Sequence, residues 1–228
     1  MPEYRTLNNI AYEHLRSMIY QSELEFGRVY SETKLASQLN ISRTPIRDAL
    51  NRLAQERYID ILPNRGFVLH TPTQADIIEA YHVRLMIEGY CAGIVAAHYP
   101  EPAARTAISR MEDALLSQQH ILGGTDYSLG SFWLDDLRFH RSLLEYMSIP
   151  SLYVQYESFM HIFRPHHLLA WNEDATQNAR ALERHRSTLT EHAEIVEALK
   201  SRDQQRVSQS IRAHIDSSLK VLFSRMEE

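Results

Sequence analysis

Hydrophobic positions in the first quarter of the chain follow helical spacing. Residues 7–21 carry one apolar stripe at this spacing. Residues 31–57 carry two more, through Leu35 and Leu39 and then through Ile46 and Leu50, with a polar break between them at residues 40–42. Two short helices joined by so short a turn are typical of a helix-turn-helix unit.

The spacing changes to that of strands directly after this helix pair. Residues 58–62 and 67–69 predict a β-hairpin, and Arg65 with Gly66 lies in its turn. Behind a helix-turn-helix, we interpret such a hairpin as a wing whose tip presents Arg65 and Gly66 to a DNA minor groove or a phosphate. A purely structural hairpin is the alternative.

From Thr73 onwards the pattern is helical almost throughout. The predicted helices span 74–98, 102–121, 128–147, 150–169, 177–200 and 203–223. Thr73 followed by Asp76 predicts a capping box at the start of the first of them. The predicted fold class is therefore mainly α, with an N-terminal winged helix-turn-helix over residues 1–72 and a C-terminal all-α helical bundle over residues 73–228.

Composition and charge support two domains with different partners. The 228 residues are 44% hydrophobic, enough to bury a sizeable core, and they exceed one typical domain. The net charge of −5 first argues against a nucleic-acid partner, but residues 1–72 hold nine Lys and Arg against eight Asp and Glu. The single cysteine, Cys91, excludes an intramolecular disulfide framework. Without an apolar run of membrane-spanning length or a signal-peptide pattern, we expect a cytoplasmic protein that does not enter a membrane.

The start of the second helix of the pair has the chemistry of a DNA-reading surface. Ser42 is the predicted N-cap, and Pro45 falls in the first turn, where its missing N–H costs nothing. Ser42, Arg43, Thr44 and Arg47 would be presented together with free backbone N–H groups, which favour phosphate oxygens, and an arginine fork can read guanine. An ordinary helix pair with a solvated basic face is the alternative.

The residues 41–56, ISRTPIRDALNRLAQE, are similar to the recognition helix of GntR-family transcription regulators, and SETKLA at 31–36 resembles the family's S-E-R-E-L-A segment. Thr33 stands where the family usually has a DNA-contacting arginine, and Tyr30 stands where it usually has proline. Lys34 could supply part of the missing charge. The resemblance implies binding of double-stranded DNA. Because one short helix reads only a few base pairs, we expect a homodimer on a palindromic operator.

In the helical half, four polar residues lie on stripes that are otherwise apolar. Asp136 and His140 share one stripe, His192 lies on a second, and His214 on a third. Burying such groups without partners is costly, and one divalent cation held by three imidazoles and a carboxylate would satisfy all four.

Other readings of these histidines are open from spacing alone. Each could be an ordinary hydrogen-bonded core residue, because the chain has twelve histidines and coincidences at helical spacing are expected. His161, His166 and His167 form a denser cluster that the same reasoning could select.

A second resemblance narrows the choice. DLRFH at 136–140 resembles the D-x-x-F-H segment of the FCD ligand-binding domain, the FadR-type partner of this DNA-binding domain, and EHAEIVEAL at 191–199 resembles another of its segments. His214 takes the place of its last-helix histidine. The resemblance implies that Asp136, His140, His192 and His214 hold a divalent metal ion, with Zn²⁺ expected first and Ni²⁺ or Mn²⁺ as alternatives.

Arg84 matches an arginine that lies near the effector pocket in this family, and the resemblance implies the same role here. The alternative is an intrahelical pair with Glu88. A cation beside a guanidinium describes a receptor for a small carboxylate.

We expect a transcription regulator of the repressor type whose operator affinity is controlled by a small organic acid bound near the metal. We do not expect an enzyme. One alternative is a metal-dependent hydrolase with a nucleic-acid-binding domain. Another is a regulator whose metal is purely structural.

Overall fold

The computed structural model describes residues 6–20, 23–124, 129–160 and 175–226. The chain divides into two compact units, Met1–Pro72 and Thr73–Glu228. Within the described residues, no helix is both long enough and apolar enough to cross a bilayer.

Three helices and a two-stranded antiparallel sheet form the first unit. The elements are α1 (Leu7–Tyr20), α2 (Glu32–Gln38), α3 (Arg43–Gln55), β1 (Ile59–Leu62) and β2 (Gly66–Leu69). Ile59 pairs with Leu69 and Leu62 with Gly66, so the hairpin closes around the turn containing Arg65. The apolar stripes of the three helices and the inner face of the hairpin share one core. The predicted winged helix-turn-helix is confirmed.

Ser42 begins α3 differently from the prediction. It is the N-cap residue, but its side chain makes no capping hydrogen bond. A capping hydroxyl usually accepts from the second or third helical residue, and here the third is Pro45, which has no N–H. The predicted cap bond was therefore wrong, and the same proline that suits the first turn removes the donor.

The loop before α2 is joined to the wing by backbone hydrogen bonds. The Tyr30 N–H donates to the Phe67 carbonyl at 2.8 Å, and the Phe67 N–H donates to the Tyr30 carbonyl at 3.0 Å. A proline at position 30 could not make the first bond. Gly66, the first residue of β2, lies against the same loop. Its φ is +119°, and a Cβ there would be 1.9 Å from the Tyr30 carbonyl oxygen.

Six helices form the second unit in the described residues. They are α4 (Gln74–His98), α5 (Pro102–Gly123), α6 (Leu129–Met147), α7 (Pro150–Met160), α8 (Ala175–Ser201) and α9 (Gln204–Met226). The predicted capping box is confirmed, since Thr73 Oγ1 accepts from the Asp76 N–H and the Thr73 N–H donates to the Asp76 carboxylate. The remainder of predicted helix 150–169, the predicted break near Asn172 and His161, His166 and His167 lie outside the described residues.

The second unit is built by helix-on-helix packing. The most extensive contacts join α5 to α6 and α4 to α9, while α8 packs on α4, α5 and α9. Ile77, Val95, Met111, Phe139 and Ile195 are among its fully buried apolar side chains. Several polar side chains are buried in the same unit, among them His140, His192 and His214.

Gly66→Ala is expected to destabilise the first unit by at least about 2 kcal/mol, because the new methyl group meets a backbone carbonyl and the residue must hold a left-handed φ. Hydrogen exchange of peptides covering residues 58–70 measures this locally. Gly89→Ala is the matched control. Gly89 lies inside α4 with no atom within 4 Å of its added Cβ, so alanine should stabilise by about 0.5–1 kcal/mol. Equal exchange protection in both variants would contradict the role assigned to Gly66.

Candidate metal centre and nucleic-acid interface

Three buried imidazoles from three helices converge inside the second unit. His140 comes from α6, His192 from α8 and His214 from α9, and at most 2% of each is exposed. Their ring centroids lie 4.8–5.2 Å apart. One nitrogen of each ring lies within 4.8 Å of the other two, which is a spacing that could hold a metal ion. The structure therefore brings together the three histidines that the sequence selected.

His214 is oriented by a carboxylate on α8. Its Nδ1 donates to Glu191 Oε2 at 2.8 Å, which leaves Nε2 facing the cluster, 3.2 Å from His140 Nε2. Arg184 donates two hydrogen bonds to the same carboxylate. Burial would raise the pKa of Glu191, but the hydrogen bonds from His214 and Arg184 outweigh it and lower that pKa to about 2. The ring orientation is thus fixed by an ionised carboxylate.

His192 is oriented by an amide on α5. Its Nδ1 lies 3.0 Å from Gln118 Oε1, and Gln118 Nε2 donates to the Phe132 carbonyl. Because an amide oxygen only accepts, His192 Nδ1 carries the proton and Nε2 offers a lone pair. Phe139 stacks on the ring at 3.9 Å with planes 7° apart. His192 Nε2 is buried and has no hydrogen bond among the described residues. Asp136 Oδ1 lies 3.5 Å from it.

Burial holds two of these imidazoles neutral. It lowers the pKa of His192 well below the ordinary value, and the neighbouring imidazoles and arginines act in the same direction. Burial also lowers the pKa of His214 to about 4, although the hydrogen bond to Glu191 acts the other way. Neutral imidazole is the form that binds a metal ion.

His140 joins the cluster to a buried ion pair on α4. Arg84 Nη2 lies 3.1 Å from His140 Nε2, and Arg84 Nε donates to Glu88 Oε1 at 2.6 Å. Glu88 Oε2 is 2.8 Å from His140 Nδ1, an ion-pair distance without good hydrogen-bond alignment. Tyr156 donates to Glu88 Oε1 at 2.7 Å. Burial would raise the pKa of Glu88, but positive Arg84 outweighs it and holds that pKa well below its usual range.

Asp136 lies beside the cluster, as its position one turn before His140 on α6 predicted. Its carboxylate oxygens are 3.5 Å from His192 Nε2 and 3.9 Å from His140 Nε2. At 17% exposure its side chain is less buried than the rings. The structure thus places Asp136 at the edge of the three-histidine cluster, close to two of its rings.

Arg84 forms the intrahelical ion pair with Glu88 that the sequence offered as the alternative to an effector role. It is nearly inaccessible to solvent, so the small energy of an exposed helical pair does not apply to it. The pair leaves Arg84 Nη2 at 3.1 Å from His140 Nε2, and the effector role of Arg84 stays a prediction.

In the first unit, the N-terminal part of α3 and the wing face one cleft of about 250 Å³. We call it the arginine cleft, and its lining residues are Ser31, Glu32, Thr33, Arg43, Arg47, Asn64, Arg65 and Gly66. The side chains of Arg43 and Arg47 are 58% and 59% exposed. Lys34, Ser42 and Thr44, also predicted to bind DNA, are exposed but do not line the cleft.

Several residues of these sites were not selected from the sequence. Glu32 lies in the arginine cleft, and its acidic side chain gave no indication of a DNA surface. Gln118 lies on a different helix from the ring it orients, so no local spacing connected them. Glu191 lies in the segment 191–199 that resembles the FCD domain, but its position directly before His192 did not indicate its contact with His214.

Comparisons with known proteins agree with both units. Residues 7–69 match the gntR family of bacterial regulatory proteins, and residues 79–217 match the FCD domain family. The chain is 27% identical to the gluconate operon transcriptional repressor of Bacillus subtilis strain 168, over 91% of this chain and 81% of that protein. It is also 27% identical to the transcriptional repressor RspR of Escherichia coli K12, over 92% and 86% of the two chains.

A solved structure shows the same fold. The E. coli protein McbR/YncC superposes with a TM-score of 0.71 at 18% identity, covering 97% of this chain and 99% of that one. The matches to both domain families, together with the winged helix-turn-helix and the histidine-bearing helical unit, show that this chain belongs to the GntR family of bacterial transcription regulators, with a C-terminal FCD domain.

Proposed function

We propose that this regulator changes its affinity for a palindromic operator when a small carboxylate binds beside a divalent metal ion in residues 73–228. One observation carries the proposal: three buried imidazoles converge at a point where a guanidinium also reaches one of them. A DNA-binding protein of this kind works in the cytoplasm.

The donor set fits a divalent ion. His140 Nε2 and His214 Nε2 are 3.2 Å apart, close to the roughly 3.3 Å that separates two nitrogens bound tetrahedrally at 2.0–2.1 Å. His192 and His214 each bond through Nδ1 to a residue that orients the ring, which is the usual arrangement around metal-binding histidines. His140, His192 and His214 would hold the ion with Asp136 as the fourth ligand. Zn²⁺ suits this set best, and Ni²⁺ or Mn²⁺ are alternatives.

Arg84 would bind the carboxylate. Its Nε is held by Glu88, which in turn accepts from Tyr156, so the guanidinium is fixed at the wall of the metal site. A bound ion that takes a fifth ligand would supply a Lewis acid for one carboxylate oxygen. Arg84 Nη2, released from His140 Nε2 when that nitrogen binds the ion, would donate to the other oxygen. Gluconate is a suitable first probe, because a relative is named for the gluconate operon.

The first unit would read DNA through Arg43 and Arg47 of α3, with Arg65 and Gly66 at the wing tip and Lys34, Ser42 and Thr44 as further contacts. One helix of this length reads a few base pairs, so a homodimer on two half-sites supplies the specificity that an operator needs. Effector binding that favours one arrangement of the dimer would change operator affinity by about 5- to 150-fold.

Arg47→Ala is expected to weaken operator binding by about 5- to 150-fold and to relax base preference, because it removes an exposed guanidinium at the start of α3. Arg28→Ala is the control, since Arg28 is an equally exposed arginine of the same unit that does not line the arginine cleft. Fluorescence anisotropy on the selected operator and footprinting measure the change. Identical footprints for the parent and Arg47→Ala would contradict the assignment of α3.

His192→Ala is expected to lower the bound divalent metal at least about tenfold, measured by elemental analysis after dialysis against Zn²⁺. His185→Ala is the matched control. His185 is another buried imidazole of α8, stacked on Phe132 and outside the cluster of three. Parent-like metal content in His192→Ala would exclude the proposed ligand set, and His161, His166 and His167 would be tested next.

Arg84→Lys is expected to weaken carboxylate binding by about tenfold while leaving the melting temperature near that of the parent, because lysine keeps the charge beside Glu88 and loses the fork. Arg84→Ala is a poorer variant, because it strands a buried carboxylate at a cost of about 3–5 kcal/mol.

A thermal-shift screen of gluconate and other small carboxylates, with and without chelator, identifies the ligand, and calorimetry measures its affinity in each variant. Arg110→Lys, in an exposed pair with Glu145, is the control. If Arg84→Lys lowers the melting temperature and leaves affinity unchanged, Arg84 is purely structural. If chelation lowers stability without altering the response to any carboxylate, the metal itself is structural.

A further inference from the structure

A carboxylate lies at the centre of the arginine cleft. Glu32, the first residue of α2, places Oε2 at 3.4 Å from Arg47 Nη2 and 3.5 Å from Arg43 Nη2. Its side chain is only 18% exposed, whereas each arginine is more than half exposed. One oxygen of a well-shielded acid is therefore shared by the two arginines that are proposed to read DNA.

Stability does not account for this arrangement. Ion pairs with exposed partners contribute little to stability, and these two contacts are long and share a single acceptor. Glu32 is the acidic residue in the first turn of α2, where an acid modestly stabilises a helix, but this effect needs no contact with an arginine. The N-cap bond itself comes from Ser31, whose side chain accepts from the Lys34 N–H. Glu32 nevertheless places a negative charge on a surface that must approach phosphates.

The electrostatic consequence depends on what the arginines contact. A phosphate approaching Arg43 or Arg47 is repelled by Glu32 at nearly the same distance, so backbone contacts to DNA of any sequence become weaker. A G·C pair in the major groove differs from a phosphate. Guanine offers two acceptors to an arginine fork, and cytosine offers an amino donor that a carboxylate can accept. An acid adjacent to two arginines therefore matches a G·C base edge better than it matches a phosphate.

We propose that Glu32 is a specificity-determining residue, which holds Arg43 and Arg47 toward guanine and lowers the affinity for DNA backbone of any sequence. The inference rests on the proposed DNA-binding role of the cleft. Glu32 acts in two ways that can be separated: its charge repels phosphate, and its contact positions the two guanidinium groups.

The experiment compares the parent with Glu32→Gln on two duplexes, an operator selected by the parent protein from random sequences and a scrambled duplex of equal length, over a series of salt concentrations. Glu32→Gln is expected to bind the scrambled duplex about threefold to tenfold more tightly, and its salt dependence should steepen by about one phosphate contact. The ratio of operator to scrambled affinity should fall at least about tenfold.

Two further variants assign the effect. Glu25→Gln removes the same charge from the same unit, where Glu25 pairs with Arg28 and does not line the cleft, so it should leave the affinity ratio unchanged. Glu32→Asp keeps the charge but shortens its reach. It should retain the parent's weak binding to the scrambled duplex and lose operator affinity. Circular dichroism spectra and melting curves like those of the parent establish that each variant is folded.

The outcomes separate this inference from the proposed function. If the parent prefers its operator and Glu32→Gln keeps the same affinity ratio, the role of Glu32 is overturned while DNA reading stands. A ratio that falls equally in Glu25→Gln also overturns it, because net charge alone then explains the change. If the parent prefers no duplex over the scrambled one, the proposed operator binding fails, and the inference fails with it.

Discussion

Burying three imidazoles in one place is the constraint on which the helical unit depends. An unpaired polar ring in a protein core costs about 1–3 kcal/mol, so each ring must find a partner before the bundle closes. The rings come from α6, α8 and α9, and their partners come from α4, α5 and α8. These polar contacts therefore link five helices. Because the same helices carry the apolar core and the histidines, the packing of this unit also determines where the ring nitrogens lie.

The residues that orient His192 and His214 also determine which nitrogen of each ring is available. Glu191 and Gln118 occupy the Nδ1 atoms of His214 and His192, and both Nε2 atoms are consequently directed into the cluster. A histidine that only filled the core would need no such bias, because either nitrogen could satisfy it. The bias toward Nε2 on separate helices is the feature expected of a ligand set, and it supports the proposed metal ion independently of the family resemblance.

The fold could be predicted from the sequence because its signals are local, whereas the choice of three histidines among twelve also needed the family resemblance. Helical spacing placed His192 and His214 on buried stripes, and a strand-like run with a glycine turn predicted the wing. The partners were not predictable in the same way. Gln118 meets His192 across 74 positions of sequence, and Glu32 meets Arg47 only because the turn between α2 and α3 folds one helix onto the other. Local periodicity does not indicate such long-range pairs. The missing cap bond of Ser42 has a different cause, because Pro45 lacks the N–H that the hydroxyl would accept from.

The charges around the site fit the proposed singly charged acid better than they fit other classes of ligand. Glu88, Glu191 and Asp136 are the carboxylates in contact with the three rings, and Arg84 and Arg184 are the guanidinium groups paired with them. When each ring offers a lone pair to the proposed ion, the five charged groups together carry one net negative charge before the ion is counted. Taking an uncompensated charge out of water is expensive, so an occupied site tends toward electrical balance. A divalent cation turns the excess negative charge into one excess positive charge, and a monocarboxylate then neutralises it. A neutral sugar would leave that charge uncompensated, and a dianionic phosphate would reverse it. The charges of the side chains thus support the proposed effector class in addition to the position of the Arg84 guanidinium.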